Sequence, residues 1–488
     1  MEKIFRELQE QKEVRANLSA FRAALKENSE KKKFAAAFVR ANEELFFGFL
    51  ENDDAKTRKN AALLLGDLSY QNGAKALYSA YEREQTRFVR SAYLEALEEL
   101  DVREWIEEFK KQMEKLKAKE LTDENRKHVE EEIRVLRQIL LQYEGIPKHT
   151  FDKGQEKNRV LLTVDKNQRE LLQEKTGGKV HPLGVIVNTD KLDSVLSIRT
   201  YRELLFPVPV KSLLDIKPEQ AAKDVWQPLL ALCRKYLKEP ETFYFRIECR
   251  SKQALDKRSV FVKRLGTEIE KLSSGKLLNS TSYYEVELRL YADKTGRFFP
   301  ALKFYTLQDR RFSYRKNAIS ASIHPSTAAQ IMELAAPYLK ENALVLDPFC
   351  GVGTMLIERD FRVLAMEMYG TDIFGVAVEG ARENAKLADV PIQFIRRDFF
   401  EFSHDYPFDE IITNMPVCGK MAKEELSGLY EDFFQKIPKH LRESGVIIMY
   451  TQELGFVKKQ LRLHKEFTLL KEHCMQEKSG FYLLVIGV

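Results

Sequence analysis

The chain has 488 residues, of which 44% are hydrophobic and 31% are charged. This length exceeds what one hydrophobic core normally supports, and the composition excludes both a disordered and a membrane-embedded protein. The net charge of +5 is too small to identify a polyanionic partner by itself.

The sequence contains neither a signal for membrane insertion nor a pattern of metal ligands. Residues 1–10 carry no apolar run, and no later stretch approaches the ~20 apolar residues of a membrane-spanning helix. The cysteines are scattered, with no C-x-x-C pair: Cys233, Cys249, Cys350, Cys418 and Cys474. We therefore expect a cytoplasmic protein with reduced cysteines and no structural metal.

Residues 1–148 are predicted to form an all-α domain. They contain little glycine, proline only at Pro147, and apolar residues at helical spacing. Three pairs share one sequence interval, as stacked helical pairs do: Arg58 and Arg90, Leu65 and Leu97, Leu68 and Leu100. This pattern resembles HEAT repeats, with an irregular helical bundle as the alternative.

Two charged helices are predicted at the end of this domain, over residues 103–121 and 123–143. Their Lys and Glu residues at i,i+4 spacing indicate solvated faces, to which we assign no chemistry. The helical domain as a whole could serve as a protein-docking surface or as an additional RNA clamp.

Residues 151–307 change to a mixed α+β pattern. Strands are predicted at residues 160–164, 185–187, 243–247 and 283–288. A basic amphipathic helix lies between the last two strands, and its predicted packing face contains Val260, Phe261, Leu265 and Ile269. The opposite face would be cationic, with Lys252, Lys257, Arg258, Lys263, Arg264 and Lys271. Such a face suits a polyphosphate, although charge-rich helices are also common in proteins that bind no nucleic acid.

These segments resemble a THUMP domain over residues 241–307. The likeness rests on FRIECR at residues 245–250, the helix near Asp256, and YEVELR at residues 284–289. Residues 151–240 resemble the ferredoxin-like module that accompanies this domain. In that family the pair grips the 3′ acceptor end of transfer RNA, so the resemblance implies RNA binding by Lys257, Arg258, Lys263 and Arg264.

A cofactor-binding pattern begins at residue 344, where LVLDPFCGVGT runs to residue 354. It consists of an apolar strand, an acidic residue, a glycine turn and the start of a helix. Gly351 and Gly353 would let the backbone approach a ligand, and the N–H groups at the helix start would bind its carboxylate.

Two further predicted strands end in acidic residues. Asp372 follows one strand, in the position from which a carboxylate accepts hydrogen bonds from both ribose hydroxyls. Asp398 follows the strand over residues 392–397 and would accept a hydrogen bond from the adenine amino group. Phe399 would stack or pack on the adenine ring. Any one aspartate could be a helix N-cap, but three in register, each closing a strand, favour a cofactor site.

The cofactor type follows from the glycine motif. A dinucleotide is disfavoured because Leu356 occupies the place of the last glycine in G-x-G-x-x-G. Residues 347–354 instead closely resemble the first motif of class I methyltransferases that modify exocyclic amines, a likeness that runs from about His324 to the end of the chain. It implies a Rossmann-like α/β domain over residues 326–488, S-adenosylmethionine as cofactor, and no metal.

The resemblance also assigns the cofactor residues. The methionine part would be surrounded by Asp347, Phe349, Gly351, Gly353 and Thr354, with Asp372 at the ribose and Asp398 at the adenine. Cys350, Ile373, Phe399 and Asn414 complete the predicted cofactor-binding set.

The catalytic loop is predicted at residues 414–417, which read NMPV where these enzymes usually have Asn or Asp, Pro, Pro and an aromatic residue. Guanine N2 and adenine N6 are weak nucleophiles, so the enzyme must hold the nitrogen in line and accept its protons. The Asn414 side-chain oxygen and the Met415 carbonyl are the predicted acceptors, and Pro416 constrains the loop.

Two residues of this loop depart from the family pattern. Met415 replaces a proline but still supplies a carbonyl. Val417 replaces the aromatic residue on which a flipped base stacks, a contact worth roughly 1–3 kcal/mol. Another aromatic residue must compensate, and the candidates are Phe399, Tyr450 and Phe456.

The multidomain order resembles THUMP-containing transfer-RNA guanine-N2 methyltransferases. A basic linker over residues 308–325, with Arg310, Arg311, Arg315 and Lys316, would join the RNA-binding region to the methyltransferase domain. We predict N2-methylguanosine formation in transfer RNA, with ribosomal RNA as the other RNA substrate considered. The alternatives are a catalytically degenerate protein that binds RNA and S-adenosylmethionine, and a DNA or protein amide methyltransferase, against which the THUMP-like region argues.

Overall fold

The computed structural model describes residues 2–27, 30–120, 122, 124–154, 157–417 and 422–488. Backbone contacts divide the chain into two compact units, Met1–Lys148 and His149–Val488. No helix within the described ranges is both long and apolar enough to cross a bilayer.

Four of the five cysteines predicted to be reduced lie in the described ranges, and all four are free thiols: Cys233, Cys249, Cys350 and Cys474. Burial raises the pKa of Cys233 and Cys350, which keeps both thiols protonated and unreactive at neutral pH. Cys418 lies outside the described residues.

The first unit is helical, as predicted. Its described residues form α1 (Glu2–Gln9), α2 (Val14–Glu27), α3 (Glu30–Ala41), α4 (Glu43–Gly48), α5 (Ala55–Asp67), α6 (Ala74–Arg83), α7 (Arg87–Glu98), α8 (Ile106–Lys117) and α9 (Arg126–Glu144). The last two are the predicted charged helices. Both are shorter than predicted at their N-terminal ends, and residues 121 and 123 lie outside the described ranges.

Helix α7 packs between α5 and α9. Asp54 caps α5 by accepting the N–H groups of Lys56 and Thr57. A Cβ atom at Gly66 of α5 would lie 2.7 Å from Cα of Ala96 in α7, so glycine allows these two helices to approach closely.

The two arginines that share the sequence interval make equivalent ion pairs. Arg58 of α5 contacts Glu84 at 2.8 Å, and Arg90 of α7 contacts Glu132 of α9 at 2.9 Å. Each pair links one helix to the segment that packs next to it. This arrangement is typical of stacked helical repeats, and the assignment to the HEAT family stays a prediction.

The second unit begins with one mixed sheet. Its strands are β1 (Asn158–Thr163), β2 (Lys179–His181), β3 (Gly184–Thr189), β4 (Leu204–Pro207), β5 (Phe243–Arg250), β6 (Leu277–Asn279), β7 (Val286–Ala292) and β8 (Phe298–Phe304). They lie in the order β2-β3-β1-β4-β8-β7-β5-β6. The helices of this region are α10 (Arg169–Thr176), α11 (Leu192–Leu196), α12 (Pro218–Tyr236) and α13 (Leu255–Leu272).

The sequence divides this region into two modules at residue 240, but their strands share the sheet. Strand β4 of the first module pairs antiparallel with β8 of the second, Phe206 opposite Leu302 and Pro207 opposite Ala301. The pairing joins residues far apart in the sequence, and no local pattern indicates it. We refer to the region as the middle sheet.

Helix α13 is the predicted basic helix. Phe261, Leu265 and Ile269 are buried, as expected, but Val260 is 57% exposed. One residue along a helix is a rotation of about 100°, which turns Val260 away from the face that carries Phe261. The predicted RNA-binding cations lie on the open side, where Lys257, Lys263 and Arg264 are exposed and Arg258 is half-buried.

Two of the four cations of the predicted basic linker make contacts that hold it in place. Arg311 is 7% exposed, contacts Asp309 at 2.6 Å, and donates a hydrogen bond to the Tyr201 carbonyl at 2.8 Å. Arg315 donates to the Ile323 carbonyl at 3.1 Å. Both arginines therefore hold the linker against its surroundings, while Arg310 and Lys316 are exposed.

The remaining residues form an α/β domain. Its strands are β9 (Leu344–Asp347), β10 (Glu367–Asp372), β11 (Gln393–Arg396), β12 (Phe408–Asn414), β13 (Leu441–Thr451), β14 (Thr468–Gln476) and β15 (Phe481–Gly487). Its helices are α14 (Pro325–Ala335), α15 (Thr354–Arg362), α16 (Gly375–Ala388), α17 (Lys423–Lys436) and α18 (Leu454–Leu463).

This second sheet has the order β11-β10-β9-β12-β13-β15-β14. Strands β9 to β13 are parallel, and β15 is antiparallel to both β13 and β14. The carboxyl ends of the parallel strands meet at one edge of the sheet. That edge brings together Asp347, Asp372 and Asn414, each the last residue of its strand, and is where open α/β sheets bind ligands.

Candidate active site

A cavity of about 390 Å³ lies at this edge of the sheet. All but one of the predicted cofactor and catalytic residues line it: Asp347, Phe349, Cys350, Gly351, Thr354, Asp372, Ile373, Asp398, Phe399, Asn414, Met415 and Pro416. Val417 lines it too, whereas Gly353 does not. The predicted cofactor residues and the predicted catalytic loop thus line one cavity.

Asp347 lies at the base of the cavity and is only 1% exposed. Its Oδ1 accepts the N–H of Phe349 at 3.1 Å, while its Oδ2 is buried with no hydrogen-bond partner in the described part of the chain. Burial raises the pKa of Asp347 well above its usual range, and the negative charge of Asp372 acts in the same direction. A cationic group of a ligand would satisfy this carboxylate.

The two glycines of the motif have different roles. Both have a left-handed backbone, with φ of +52° at Gly351 and +79° at Gly353. Gly351 lines the cavity, and no atom lies within 4 Å of where its Cβ would be, so a ligand can approach the backbone there. A Cβ at Gly353 would lie 2.7 Å from Cζ of Phe394. Gly353, predicted to contact the cofactor, instead lets the turn pack against β11.

Asp372 connects the second strand to the glycine turn. Its Oδ2 accepts the N–H of Gly351 at 2.9 Å, and its Oδ1 accepts the N–H of Phe374 at 2.9 Å. Each carboxylate oxygen has a second lone pair, so both can still accept a hydrogen bond from a ligand hydroxyl. The neighbouring side chain of Ile373 is 55% exposed and forms part of the cavity rim.

Asp398 and Phe399 follow the third strand. Asp398 is exposed, and its Oδ1 accepts the N–H of Phe400 at 2.9 Å, an N-cap contact that leaves other acceptor positions open. Phe399 is 1% exposed and packs near Phe349 and Phe433, with ring centroids 6.0 Å from each. Phe399 therefore packs within the core while it also lines the cavity, and its role at the adenine stays a prediction. Phe400, which is half-buried, also lines the cavity.

The catalytic loop is fixed by the neighbouring strand. Asn414 is in register with Tyr450 of β13, and the Met415 N–H donates to the Tyr450 carbonyl at 3.0 Å. The Asn414 Nδ2 lies 3.5 Å from the Ala321 carbonyl, a long hydrogen bond that leaves Oδ1 as the acceptor end of the amide. Val417 is 37% exposed on the cavity wall.

A segment that sequence reasoning missed closes one side of the cavity. Residues Ile319, Ala321, Ser322 and Ile323 line it, just before helix α14. His324 caps that helix through its Nδ1, which accepts the N–H of Ser326 at 3.2 Å. Burial and the nearby Arg202 and Arg315 lower the pKa of His324 to about 4, so the cap is neutral near pH 7.

Sequence reasoning also missed three aromatic residues of the cavity wall, Phe374, Phe400 and Phe481. Phe374 is 64% exposed, and its position two residues after Asp372 could have indicated it. Phe481 begins strand β15, far along the chain from every motif. Only the antiparallel return of β15 beside β13 brings Phe481 to the catalytic loop.

Residues 313–479 match a family model described as an RMKL-like methyltransferase domain. A tRNA (guanine(10)-N2)-dimethyltransferase from Methanothermobacter thermautotrophicus is 32% identical over 131 residues, which are 26% of this chain and 38% of that protein. A ribosomal protein L11 methyltransferase from Caldicellulosiruptor bescii is 28% identical over 151 residues, 28% of this chain and 49% of that protein. The chain therefore spans less than half the length of these curated relatives.

The fold is similar to that of TrmN from Thermus thermophilus. The TM-score is 0.51 at 21% identity, and the match covers 68% of this chain and 99% of the TrmN chain. The part of this chain that matches TrmN is larger than the segment 313–479 that matches the family model. The likeness in fold therefore extends into the middle sheet.

The cofactor of this domain is S-adenosylmethionine, as predicted. The residues present fit it. The unpartnered Oδ2 of Asp347 would bind the ammonium of its methionine part, and the open approach at Gly351 would admit that part to the backbone. Asp372 and Asp398 would hold the ribose and the adenine.

Proposed function

We propose that the chain is an RNA methyltransferase that forms N2-methylguanosine in transfer RNA. One observation carries the proposal: the loop of Asn414, Met415 and Pro416 lines the same cavity as the cofactor residues. A nucleotide base inserted beside this loop would therefore lie next to the cofactor.

The proposed reaction assigns a role to two residues of the loop, Asn414 and Met415. S-adenosylmethionine supplies an electrophilic methyl group when bound. Asn414 Oδ1 and the Met415 carbonyl would accept hydrogen bonds from the two N–H groups of the exocyclic amine and so turn its lone pair towards the methyl group. The nitrogen would gain the methyl group and release one proton to solvent, with S-adenosylhomocysteine as the other product. The hydrogen bond between Met415 and Tyr450 keeps the loop in place.

A groove of about 960 Å³ supports RNA as the substrate. It is lined by residues of the middle-sheet region and of the turn after β14, and its five cations, Lys166, Arg169, Arg202, Arg250 and Lys478, outnumber its three carboxylates, Asp165, Glu203 and Glu477. Its lining includes Ser479, two residues before Phe481 of the cavity wall. A polyanionic strand in this groove would arrive beside the cavity.

The relatives support this substrate in part. One is named a tRNA guanine-N2 dimethyltransferase, but another of similar identity is named a ribosomal protein methyltransferase. The exposed cations of α13 favour RNA over protein, because phosphates are what such a face binds best. The THUMP-like and ferredoxin-like assignments of the middle sheet belong to this proposal.

The substrate class is tested by incubating the protein with tritiated S-adenosylmethionine and separate pools of undermodified RNA, DNA and protein. We expect label in small RNA alone, and nucleoside analysis should identify N2-methylguanosine. If the label appears in DNA or protein instead, the proposed RNA substrate is wrong.

A second candidate function is a degenerate protein that binds RNA and cofactor without transferring methyl. Val417 favours it, because a valine on the cavity wall offers no face for stacking. This function is supported if the protein binds both S-adenosylmethionine and RNA but transfers label to none of the pools. Transfer to RNA would exclude it.

RNA affinity is expected to depend on α13. Replacing Lys257, Arg258, Lys263 and Arg264 by alanine removes four phosphate contacts, so the slope of log K against log salt should flatten by about 3. The matched control removes four exposed cations of the methyltransferase domain, which does not contain α13: Lys439, Lys459, Arg462 and Lys465. An unchanged slope in the α13 variant would mean that this face is only solvated.

A further inference from the structure

The cavity lacks a stacking surface at the expected position. Val417 occupies the place where related enzymes have an aromatic residue, and none of the three candidates from the sequence can replace it. Phe399 is 1% exposed and Tyr450 is 4% exposed. Phe456 does not line the cavity and packs against Tyr430 instead.

We propose that Phe481 is the residue on which the methyl-accepting base stacks, an inference that rests on the proposed RNA methyltransferase function. Phe481 lines the cavity together with Asn414, Pro416 and Val417. Its ring is half-buried, so part of it is open to the cavity. It begins β15, which pairs with β13 next to the catalytic loop.

Tyr450 holds the Phe481 ring in a defined orientation. The two rings are parallel, with centroids 4.6 Å apart and an interplanar angle of 7°. One face of Phe481 is therefore covered by Tyr450, and the accessible part of the ring belongs to the cavity. Because the Tyr450 carbonyl also binds the Met415 N–H, one residue positions both the stacking ring and the catalytic loop.

The other aromatic residues of the cavity are placed for the cofactor instead. Phe374 follows Asp372 at the end of β10, and Phe349 and Phe400 follow β9 and β11. These are the three strands whose ends hold the cofactor residues. Phe481 instead begins β15, on the other side of β12 in the sheet order, and lines the cavity with Asn414.

The hairpin that carries Phe481 is anchored to the middle sheet region. Gln168 donates to the Met475 carbonyl at 2.8 Å, and Asn167 donates to the Cys474 carbonyl at 3.0 Å. Residues 475–479 of the same hairpin line the cationic groove. The hairpin therefore contributes both to the groove and, through Phe481, to the cavity.

The test compares three substitutions at Phe481. Phe481→Leu keeps an apolar side chain but removes the π-face, so kcat/KM for RNA should fall about ten- to hundredfold. Phe481→Tyr and Phe481→Trp keep a face and should retain most of the activity. Affinity for S-adenosylmethionine and Tm should stay near wild type in all three, since the cofactor residues are untouched.

Two further variants distinguish stacking from packing. Val417→Tyr in the Phe481→Leu background restores an aromatic face at the family position and should recover activity. Phe456→Leu makes the same chemical change in the same domain but outside the cavity, and should leave activity unchanged.

The outcomes separate this inference from the proposed function. Full activity of Phe481→Leu on RNA would overturn the stacking role while the RNA methyltransferase stands. Equal losses in the leucine, tyrosine and tryptophan variants, with no recovery by Val417→Tyr, would show that Phe481 only packs on Tyr450. A wild type that transfers methyl to no RNA would overturn both.

Discussion

Replacing Asn414 by alanine is expected to lower kcat for RNA methylation on the order of 10²–10³-fold, with little change in affinity for S-adenosylmethionine. The loss arises because the Asn414 oxygen accepts a hydrogen of the amine most strongly as methyl transfer proceeds. The ground state should change little, since the observed contact of Asn414 with the Ala321 carbonyl is long, at 3.5 Å. Single-turnover kinetics and calorimetry measure the two quantities separately.

The matched variant is Asn414→Asp, because related enzymes have either residue at this place. A carboxylate keeps an acceptor in the same position, so Asn414→Asp should be more active than Asn414→Ala. An active wild type with full turnover in Asn414→Ala would show that this amide does not orient the substrate.

Cofactor binding is expected to weaken by on the order of 2–4 kcal/mol in Asp372→Ala, about 30- to 1000-fold in Kd. The substitution removes acceptors for both ribose hydroxyls. It also removes the contact of Asp372 with the Gly351 N–H, which ties the glycine turn to β10. Calorimetry with S-adenosylmethionine measures the loss, and Asp405→Ala, an exposed aspartate outside the cavity, is the control.

A 2′-deoxy analogue of S-adenosylhomocysteine separates the two causes. Wild type should discriminate against the analogue, whereas Asp372→Ala should bind it and the parent compound with similar affinity. If the variant still discriminates, the ribose is held by another residue and Asp372 only supports the turn. Equal cofactor affinity in Asp372→Ala and wild type would contradict both roles.

Local patterns in the sequence were sufficient to predict the helical domain and the cofactor-binding strands. An amphipathic helix shows itself through residues three and four positions apart, and a strand–turn–helix motif fits within about ten residues. Asp347, Asp372 and Asn414 could be predicted because each follows a recognisable apolar strand. In parallel strands the carboxyl ends must meet, so these residues come together once the strand order is fixed.

The sequence by itself thus determined which residues close the parallel strands, while only the tertiary structure decided what each side chain contacts. Gly353 and Phe399 belong to motifs, yet one packs against Phe394 and the other is buried among aromatic rings. Phe481 has no local signal, because its place in the same cavity as Asn414 depends on the return of β15 along β13. Burial is set by neighbours distant in sequence, and so the stacking surface of the active site could be identified only in the folded protein.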